Sequence, residues 1–285
     1  MMKHMPVLVR EVLEVFADKD LRIFFDGTLG AGGHAKAILE AHPEIENYIG
    51  CDQDPRAHEL AAVTLKPWGE KVEIVRGRYA EKIAEVDRCL DGLLIDIGVS
   101  SMQLDEKERG FSFMGDAPLD MRMDPDGELT AAKVVNRYPE KELARIIFEY
   151  GEERRSRQVA KAIVEARRKR PIRTTGELVE IVKWVATKGK LHPATLVFQA
   201  LRIEVNDELG QLERGLKASI AKMCSGGRLA VISFHSLEDR IVKNTFRDAK
   251  DRVKILTKKP IGPTAEEMKQ NRRSRSAKLR AVEVL

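Results

Sequence analysis

Hydrophobic runs of four to six residues recur along the chain, and segments with a helical hydrophobic period separate them. Short runs bounded by turn residues are typical of buried strands, and their alternation with helical segments predicts βαβ units. The predicted strands are residues 21–25, 48–51, 72–75, 92–95, 229–234, 253–256 and 279–284. The pattern therefore predicts the α/β fold class, with a Rossmann-like sheet of five sequential strands and a final pair.

About 130 residues separate the fourth predicted strand from the fifth, far more than a strand connection needs. Residues 140–150 and 156–169 have helical periodicity, and Thr174-Thr175-Gly176-Glu177 is a capping-box pattern that opens another helix. Hydrophobic residues also recur at helical spacing over residues 198–220, which predicts one helix returning to the sheet. We therefore predict an inserted helical domain, with the domain boundaries 1–124 and 203–285 for the sheet and 125–202 for the insert.

The first predicted strand ends in a glycine-rich turn, Asp26-Gly27-Thr28-Leu29-Gly30-Ala31-Gly32-Gly33-His34. Glycines let backbone amides approach a ligand, and the N-terminus of the following helix carries partial positive charge. This is where a doubly wound fold binds a nucleotide-like cofactor. The chain lacks the Gly-Lys-Ser/Thr of a phosphate-binding loop, and the turn lacks the third glycine of a dinucleotide site. An ordinary loop is the alternative.

Polar residues follow the other predicted strands at their carboxyl ends, where ligands of open α/β sheets bind. Asp52 ends the second strand and is placed to bind ribose hydroxyls. Asp54, two residues later, is a second candidate for that role. For either residue, the alternative is a surface aspartate in the turn before Pro55. Asp96 ends the fourth strand, and a simple turn aspartate is its alternative.

Two further residues near strand ends, His235 and Tyr79, have ring side chains that could contact a ligand. His235 follows the fifth strand beside Glu238, Asp239 and Arg240, which predicts a role in substrate placement; a structural histidine is the alternative. Tyr79 lies just past the third strand, where its ring would either stack on a flat ligand or pack against the core.

Composition sets the class of protein. The chain has 285 residues, of which 43% are hydrophobic and 33% charged, so it can bury a sizeable core. No apolar run approaches the roughly 20 residues that span a membrane, and the N-terminus has no signal core. Cys51, Cys89 and Cys224 are widely spaced, which suits a reducing cytosol and gives no metal-site spacing.

The net charge of +5 is unevenly distributed. Residues 154–173 contain nine Lys or Arg and one acidic residue, and residues 258–280 contain eight against two. Either cluster alone could be an ordinary solvated helix face rather than a binding surface. Two such clusters in a chain with a cofactor-binding fold favour a nucleic-acid partner. Residues 109–123 mix aromatic residues, Met, Arg and Asp without a period. This predicts either a functional loop over a site or a core-covering loop held by Phe111 and Phe113.

Several strings resemble the MraW/RsmH family of methyltransferases, and the match runs from about residue 4 to residue 282. The strings are Asp26-Gly27-Thr28, Gly32-Gly33-His34, Asp52-Gln53-Asp54-Pro55, Asp96-Ile97-Gly98-Val99-Ser100-Ser101 with Gln103-Leu104-Asp105, residues 109–123, Tyr150-Gly151-Glu152-Glu153-Arg154, His192-Pro193-Ala194-Thr195, Phe198-Gln199-Ala200, residues 233–240, and Arg275-Ser276-Ala277-Lys278-Leu279-Arg280.

The resemblance implies a Rossmann-like methyltransferase fold with an inserted helical domain. It implies transfer of a methyl group from S-adenosylmethionine to the N4 amino group of a cytidine in the decoding centre of small-subunit (16S) ribosomal RNA. The family's cofactor contacts correspond to Gly32, Gly33, His34, Asp52, Tyr79, Asp96 and Gln103. Many N4 methylases carry an Asn/Asp-Pro-Pro-Tyr motif where this chain has Asp96-Ile97-Gly98-Val99, so Asp96 serves the cofactor, N4 or both.

We expect the catalytic residues among Asp96, Asp120 and His235, with Arg109 and Arg122 as further candidates, and no metal site. Phosphate contacts are expected from basic residues of the loop and of the two clusters, namely Arg109, Arg167, Arg168, Arg170, Arg272 and Arg275.

The expected partner is small-subunit ribosomal RNA within an assembled or late-assembling 30S particle, with naked RNA left open. A homodimer is compatible with the sequence, no membrane partner is expected, and the expected location is cytoplasmic. A processed organellar form would look the same. The rivals are a DNA N4-cytosine methyltransferase and a non-catalytic RNA-binding factor; the glycine spacing disfavours an NAD-dependent oxidoreductase.

Overall fold

A computed structural model describes residues 6–100, 103–104, 106–187 and 192–285. The chain forms two compact units. The sheet unit comprises the described residues up to Gly98 together with Leu209–Leu285, and the helical unit comprises those of Val99–Glu208. None of the helices within these ranges is both long and apolar enough to cross a bilayer.

Seven strands form one mixed sheet within the described part of the sheet unit, in the order β3-β2-β1-β4-β5-β7-β6. Neighbours among β1 to β5 pair in parallel, and β7 is antiparallel to both β5 and β6. This confirms the Rossmann-like fold, and each predicted strand is present, although β5 begins six residues earlier than its hydrophobic run. The strands are β1 Ile23–Asp26, β2 Asn47–Asp52, β3 Val72–Arg76, β4 Leu90–Asp96, β5 Met223–Ser233, β6 Val253–Ile255 and β7 Lys278–Val284.

Helices follow most strands and fill the long interruption. In chain order they are α1 Val9–Phe16, α2 Gly33–Ala41, α3 Pro55–Leu65, α4 Tyr79–Glu85, α5 Ala131–Arg137, α6 Glu140–Glu149, α7 Ser156–Lys169, α8 Thr175–Val182, α9 Thr195–Asn206, α10 Glu208–Lys222, α11 Ser236–Asp248 and α12 Ala265–Gln270. Short 3-10 segments occupy Lys66–Lys71, Lys107–Arg109 and Arg272–Ser276. The capping box predicted at Thr174 and Glu177 is confirmed at the start of α8.

Successive residues of a strand point to opposite faces of a sheet, so hydrophobic runs without alternation require cover on both faces. Phe24 and Leu94 pack on one face with residues of α1, α2 and α3. Phe25 and Leu93 pack on the other face with residues of α4, α10 and α11. The two apolar layers hold β1 and β4 in the middle of the sheet unit.

The helical unit has its own core, built from α5 to α9. It begins earlier than the predicted insert, at Val99 rather than at residue 125, and ends at Glu208 rather than at residue 202. The reason is that Phe111, Leu119, Met121 and Met123 bury their side chains in this core. The loop over residues 109–123 therefore belongs to the helical unit, which its irregular sequence pattern did not predict.

The single helix predicted over residues 198–220 is wrong. The chain forms α9 and α10 instead, separated by Asp207, whose φ of 51° ends α9. Aspartate is one of the few residues that adopts a left-handed backbone at modest cost. One such residue breaks a helix without disturbing the hydrophobic period, so the period alone predicted one helix.

A disulfide joins Cys89, just before β4, to Cys224 near the start of β5. The expectation of three reduced thiols is therefore wrong for this pair, and Cys51 is the free, buried cysteine. Parallel pairing sets Leu90 opposite Met223, so residues 135 positions apart in sequence have Cα atoms 5.0 Å apart. A wide spacing in sequence says nothing about such proximity.

Removing this disulfide should lower stability in the absence of reductant. A cross-link that closes a long loop typically adds about 2–4 kcal/mol to the free energy of unfolding, chiefly by restricting the unfolded chain. We expect Cys89→Ser, Cys224→Ser and the double variant to lose the same amount in urea unfolding followed by circular dichroism, because each removes the same bond. Dithiothreitol should bring the wild type to their level and leave the variants unchanged; a wild type insensitive to reduction would contradict this.

Candidate active site at the carboxyl edge of the sheet

The glycine-rich turn after β1 is held open by its backbone conformation. Gly30 and Gly32 have φ values of 53° and 79°, a region that glycine adopts without strain. A Cβ atom on Gly32 would lie 3.2 Å from Leu65, whereas one on Gly30 would meet only the Thr28 carbonyl at 3.9 Å. Helix α2 begins directly afterwards at Gly33, so its first-turn amides belong to the same turn. The turn thus offers backbone amides to an anionic or polar ligand.

Thr28 ties this turn to β4, because its hydroxyl accepts a hydrogen bond from the Asp96 amide at 2.7 Å. Asp26 accepts from the Thr28 amide at 3.1 Å and from the Tyr48 hydroxyl at 3.0 Å. Burial raises the pKa of Asp26 to about 7, although these two hydrogen bonds lower it. The roles of Thr28 and Tyr48 have no local signal in the sequence, because each hydroxyl bonds a residue of a distant strand.

Asp52 ends β2 and binds the same turn. Its Oδ2 accepts from the Gly30 amide and its Oδ1 from the Asp54 amide, both at 2.9 Å. Burial raises the pKa of Asp52, against the opposing effect of these two amides. Asp54 is buried and caps α3 by accepting from the Arg56 amide, which is a structural use of that carboxylate. Asp52 therefore lies beside the glycine turn, whereas Asp54 serves as a helix cap.

Asp96 ends β4 with a carboxylate that is only partly satisfied. Its Oδ1 is shielded from solvent and takes no hydrogen bond from the described residues. Its Oδ2 lies 3.7 Å from His34 Nδ1, and His34 Nε2 lies 2.8 Å from the Val7 carbonyl oxygen. Burial, together with the negative charges of Asp26 and Glu238, raises the pKa of Asp96 well above its ordinary value. A buried oxygen without a donor is a place where a ligand N–H can bind.

His235 lies just before α11, at ion-pair distance from Glu238. Its Nε2 is 2.9 Å from Glu238 Oε1, while Glu238 Oε2 accepts from the amides of Phe234 and His235 at 2.8 and 3.3 Å. Glu238 is fully buried, and its charge reaches Asp96. The spacing of His235 and Glu238 is that of a capping box, which is the signal that would have identified Glu238 from the sequence.

Tyr79 begins α4 and packs between the β1 turn and α10. A Cβ atom on Gly215 would lie 2.3 Å from the Tyr79 ring, and one on Gly27 would lie 3.1 Å from the Tyr79 Cβ. Position 215 must therefore be glycine, because any side chain there would clash with the Tyr79 ring. The contacts assign Tyr79 a packing role within the sheet unit, and its part in cofactor binding stays a prediction.

Four predicted site residues near the start of the helical unit, Gln103, Arg109, Asp120 and Arg122, are bound within that unit. The Gln103 side chain accepts from the Ser100 amide at 3.0 Å. Arg122 grips both oxygens of Asp120 at 2.8 and 2.7 Å, which lowers the pKa of Asp120 despite its partial burial. Arg109 donates to the carbonyls of Arg122 and Met123. These contacts brace the loop over residues 109–123 from inside.

The basic residues predicted to contact RNA differ in exposure. Arg168 is exposed, whereas Arg167 is half-buried and donates to the Val135 carbonyl at 2.7 Å. Arg170 is exposed and lies 3.2 Å from Glu177. Arg272 and Arg275 are exposed on the 3-10 segment of the sheet unit. Within the described ranges, no group of His, Cys, Asp and Glu side chains is arranged to hold a metal ion.

The buried carboxyl of Asp26 should make stability depend on pH. With a folded pKa of about 7 against an ordinary value of 3.8, the folded state keeps a proton that the unfolded chain has released. The contribution of this group therefore falls as the pH rises through that window. The free energy of unfolding of Asp26→Asn minus that of the wild type should increase by on the order of 3 kcal/mol between pH 5 and pH 8.

Urea unfolding of both proteins at the two pH values measures this difference, and equal differences would contradict the assignment. Tyr48→Phe is the matched control. It removes a hydrogen bond that lowers the pKa of Asp26, so the pH window should move upward rather than vanish.

Comparison with known proteins agrees with this architecture. A relative from Heliobacterium mobile named ribosomal RNA small subunit methyltransferase H is 46% identical, over 98% of this chain and 98% of its own. A relative of the same name from Symbiobacterium thermophilum is 50% identical, over 98% of this chain and 96% of its own. A crystal structure of a candidate rRNA methylase from Clostridium thermocellum aligns over 100% of both chains, with a TM-score of 0.50 and 8% identity, which concerns the fold alone. A family model described as the MraW methylase family matches residues 1–285. The chain belongs to the MraW methylase family.

Proposed function

We propose that this protein transfers a methyl group from S-adenosylmethionine to the N4 amino group of a cytidine in the decoding centre of small-subunit ribosomal RNA. Membership of the MraW methylase family and the name that its relatives share support the ribosomal RNA substrate. The observation that carries the N4 assignment is the solvent-shielded Oδ1 of Asp96, which lacks a hydrogen-bond donor among the described residues.

The residues around the glycine turn fit a nucleoside cofactor that carries a charged amino-acid group. The Gly32 amide donates to the Leu29 carbonyl, so the donors offered to a carboxylate are the amides of Gly33 and the rest of the first turn of α2. The Asp52 carboxylate accepts from ribose hydroxyls. We assign further cofactor contacts to His34, Tyr79, Asp96 and Gln103. When bound, S-adenosylmethionine supplies an activated methyl group on a sulfonium centre.

The chemical problem at cytosine N4 is that its lone pair is delocalised into the ring. We propose that Asp96 Oδ1 accepts a hydrogen bond from the N4 amino group, which localises the lone pair and directs it at the methyl carbon. The new N–C bond forms as the S–C bond breaks, and the proton that N4 loses passes to the Asp96 carboxylate. Because the pKa of Asp96 is raised, the ionised form that this step needs becomes more populated as the pH rises.

The other candidate residues hold the base and the RNA in place. His235 lies at ion-pair distance from Glu238, its Nδ1 takes no hydrogen bond from the described residues, and we propose that this nitrogen contacts the target base. Asp120 is held by Arg122, so we propose that it positions the loop. A base must leave its stack to enter such a pocket. We assign phosphate contacts to the exposed residues Arg168, Arg170, Arg272 and Arg275. Arg109 and Arg167 donate to backbone carbonyls, so we propose that they hold the helical unit in shape.

The product identifies the reaction. The protein would be incubated with labelled S-adenosylmethionine and 30S particles from cells lacking the modification, and the digested RNA analysed by mass spectrometry. We expect N4-methylcytidine at one position of the small-subunit RNA. Label appearing in DNA instead would indicate a DNA N4-cytosine methyltransferase. Cofactor binding without transfer to particles or naked RNA would indicate a non-catalytic binding factor.

Replacing the Asp96 carboxylate by an amide tests its role. Asp96→Asn keeps the shape but weakens the acceptor, so we expect turnover to fall by about a hundredfold or more, with cofactor affinity within a few-fold of wild type. Single-turnover kinetics and calorimetric titration measure the two quantities, and Asp248→Asn on exposed α11 surface is the control. Near-normal turnover would rule out an essential carboxylate. A parallel loss of cofactor affinity would mean that the contact of Asp96 with the cofactor, and not its contact with N4, accounts for the lost turnover.

A further inference from the structure

A cationic groove of about 870 Å³ lies between α6 and the start of α7, within the helical unit. Five cationic side chains and one acidic residue, Glu140, line it. The cationic residues are Lys141, Arg145, Arg154, Arg155 and Arg157, and the remaining large side chain is that of Phe148. Arg154, Arg155 and Arg157 belong to the basic cluster of residues 154–173, whereas Lys141, Arg145 and Phe148 lie outside it. The groove therefore combines positive charge with one aromatic ring.

The α6 side of the groove follows from the pattern of that helix. Its buried residues, Leu143, Ile146 and Ile147, face the core of the helical unit. Lys141, Arg145 and Phe148 recur at the spacing that places side chains on one helical face, and Phe148 leaves 58% of its surface exposed. Exposing a phenylalanine to this extent forgoes burial that normally favours folding, so a ligand that covers the ring gains that burial.

The opposite side of the groove is a rigid turn. A Cβ atom on Gly151 would lie 2.5 Å from the Leu196 carbonyl oxygen, so only glycine fits there. Glu153 is fully buried and accepts hydrogen bonds from the amides of Arg155 and Thr187 at 2.7 and 3.0 Å, and from the Thr187 hydroxyl. The Tyr150-Gly151-Glu152-Glu153-Arg154 string thus builds a fixed turn that presents the neighbouring arginines.

The charge of this groove is largely unneutralised. Lys141, Arg154, Arg155 and Arg157 are exposed, and none of them forms an ion pair with another described residue. Arg145 is the exception, because it binds Glu142 and Glu149. Five cationic side chains against one acidic side chain favour a polyanion, whose phosphates would neutralise them.

We propose that this groove binds a single-stranded segment of RNA, with the arginines on its phosphates and Phe148 stacked on an unpaired base. The inference rests on the proposed function, since it identifies where the RNA substrate is held. Cationic side chains beside an exposed ring are the combination by which proteins bind single strands, because every base has a stacking face and every nucleotide a phosphate.

The test compares binding of two fluorescein-labelled RNAs to the full chain by anisotropy: a 12-nucleotide oligouridine and a 12-base-pair duplex. The Arg154→Gln/Arg157→Gln double variant should bind oligouridine about tenfold or more weakly, and its salt dependence should be shallower by about 1.4 log units per decade. Phe148→Ala should weaken oligouridine binding about fivefold or more and leave duplex binding unchanged, because a paired base offers no free face. Phe148→Tyr should restore it.

Lys161→Gln is the matched control, since Lys161 is an exposed cation of α7 that does not line the groove. Its effect should be under twofold, and all variants should keep wild-type melting temperature and cofactor affinity. The proposal would be overturned if Arg154→Gln/Arg157→Gln bound RNA as tightly as Lys161→Gln does. It would also be overturned if Phe148→Ala bound oligouridine with wild-type affinity.

Two outcomes separate this proposal from the proposed function. Groove variants that bind both RNAs normally but fail to methylate 30S particles would mean that a protein of the particle occupies the groove, and the proposal would be wrong. The other outcome is that the wild type forms no methylcytidine while the groove variants still lose oligouridine binding. The proposed reaction would then be wrong, and RNA binding by the groove would remain supported.

Discussion

The parallel pairing of β1 with both β2 and β4 is the constraint on which the candidate site depends. It sets Asp26 level with Gly50 on one side and Leu94 on the other, so the three strands end at one edge. The Thr28 hydroxyl then binds the Asp96 amide, and the Asp52 carboxylate binds the Gly30 amide. A turn bonded to both neighbouring strands loses little further freedom on binding a ligand, which is the advantage of a preorganised site.

The same pairing concentrates acidic side chains. Asp26, Asp52 and Asp96 end three parallel strands, and the charge of Glu238 reaches Asp96. Burial disfavours ionisation of each aspartate, and only part of that cost is offset by amides and by the Tyr48 hydroxyl. A positively charged ligand at this edge would favour the ionised carboxylates. The proposed cofactor carries such a charge on its sulfonium, so the electrostatics of the edge and the proposed reaction are mutually consistent.

The helical unit uses its charges differently. Its buried or partly buried carboxylates hold loops: Glu153 fixes the turn before α7, and Asp120 grips Arg122 in the loop over residues 109–123. Its exposed cations have few internal partners. This division follows from the cost of burying an unpaired charge, which forces interior carboxylates to find donors while surface arginines remain available to an external polyanion.

The sequence by itself determined the strands, the glycine turn and the family, because buried parallel strands leave continuous hydrophobic runs and the motif strings are local. It identified Asp52, Asp96 and His235 as strand-end residues for the same reason. Only the tertiary structure decided that Asp54 caps a helix, that Thr28 bonds β4, that Cys89 meets Cys224, and that the loop over residues 109–123 joins the helical core. Each of these depends on contacts between residues far apart in the chain, which no local period or spacing encodes.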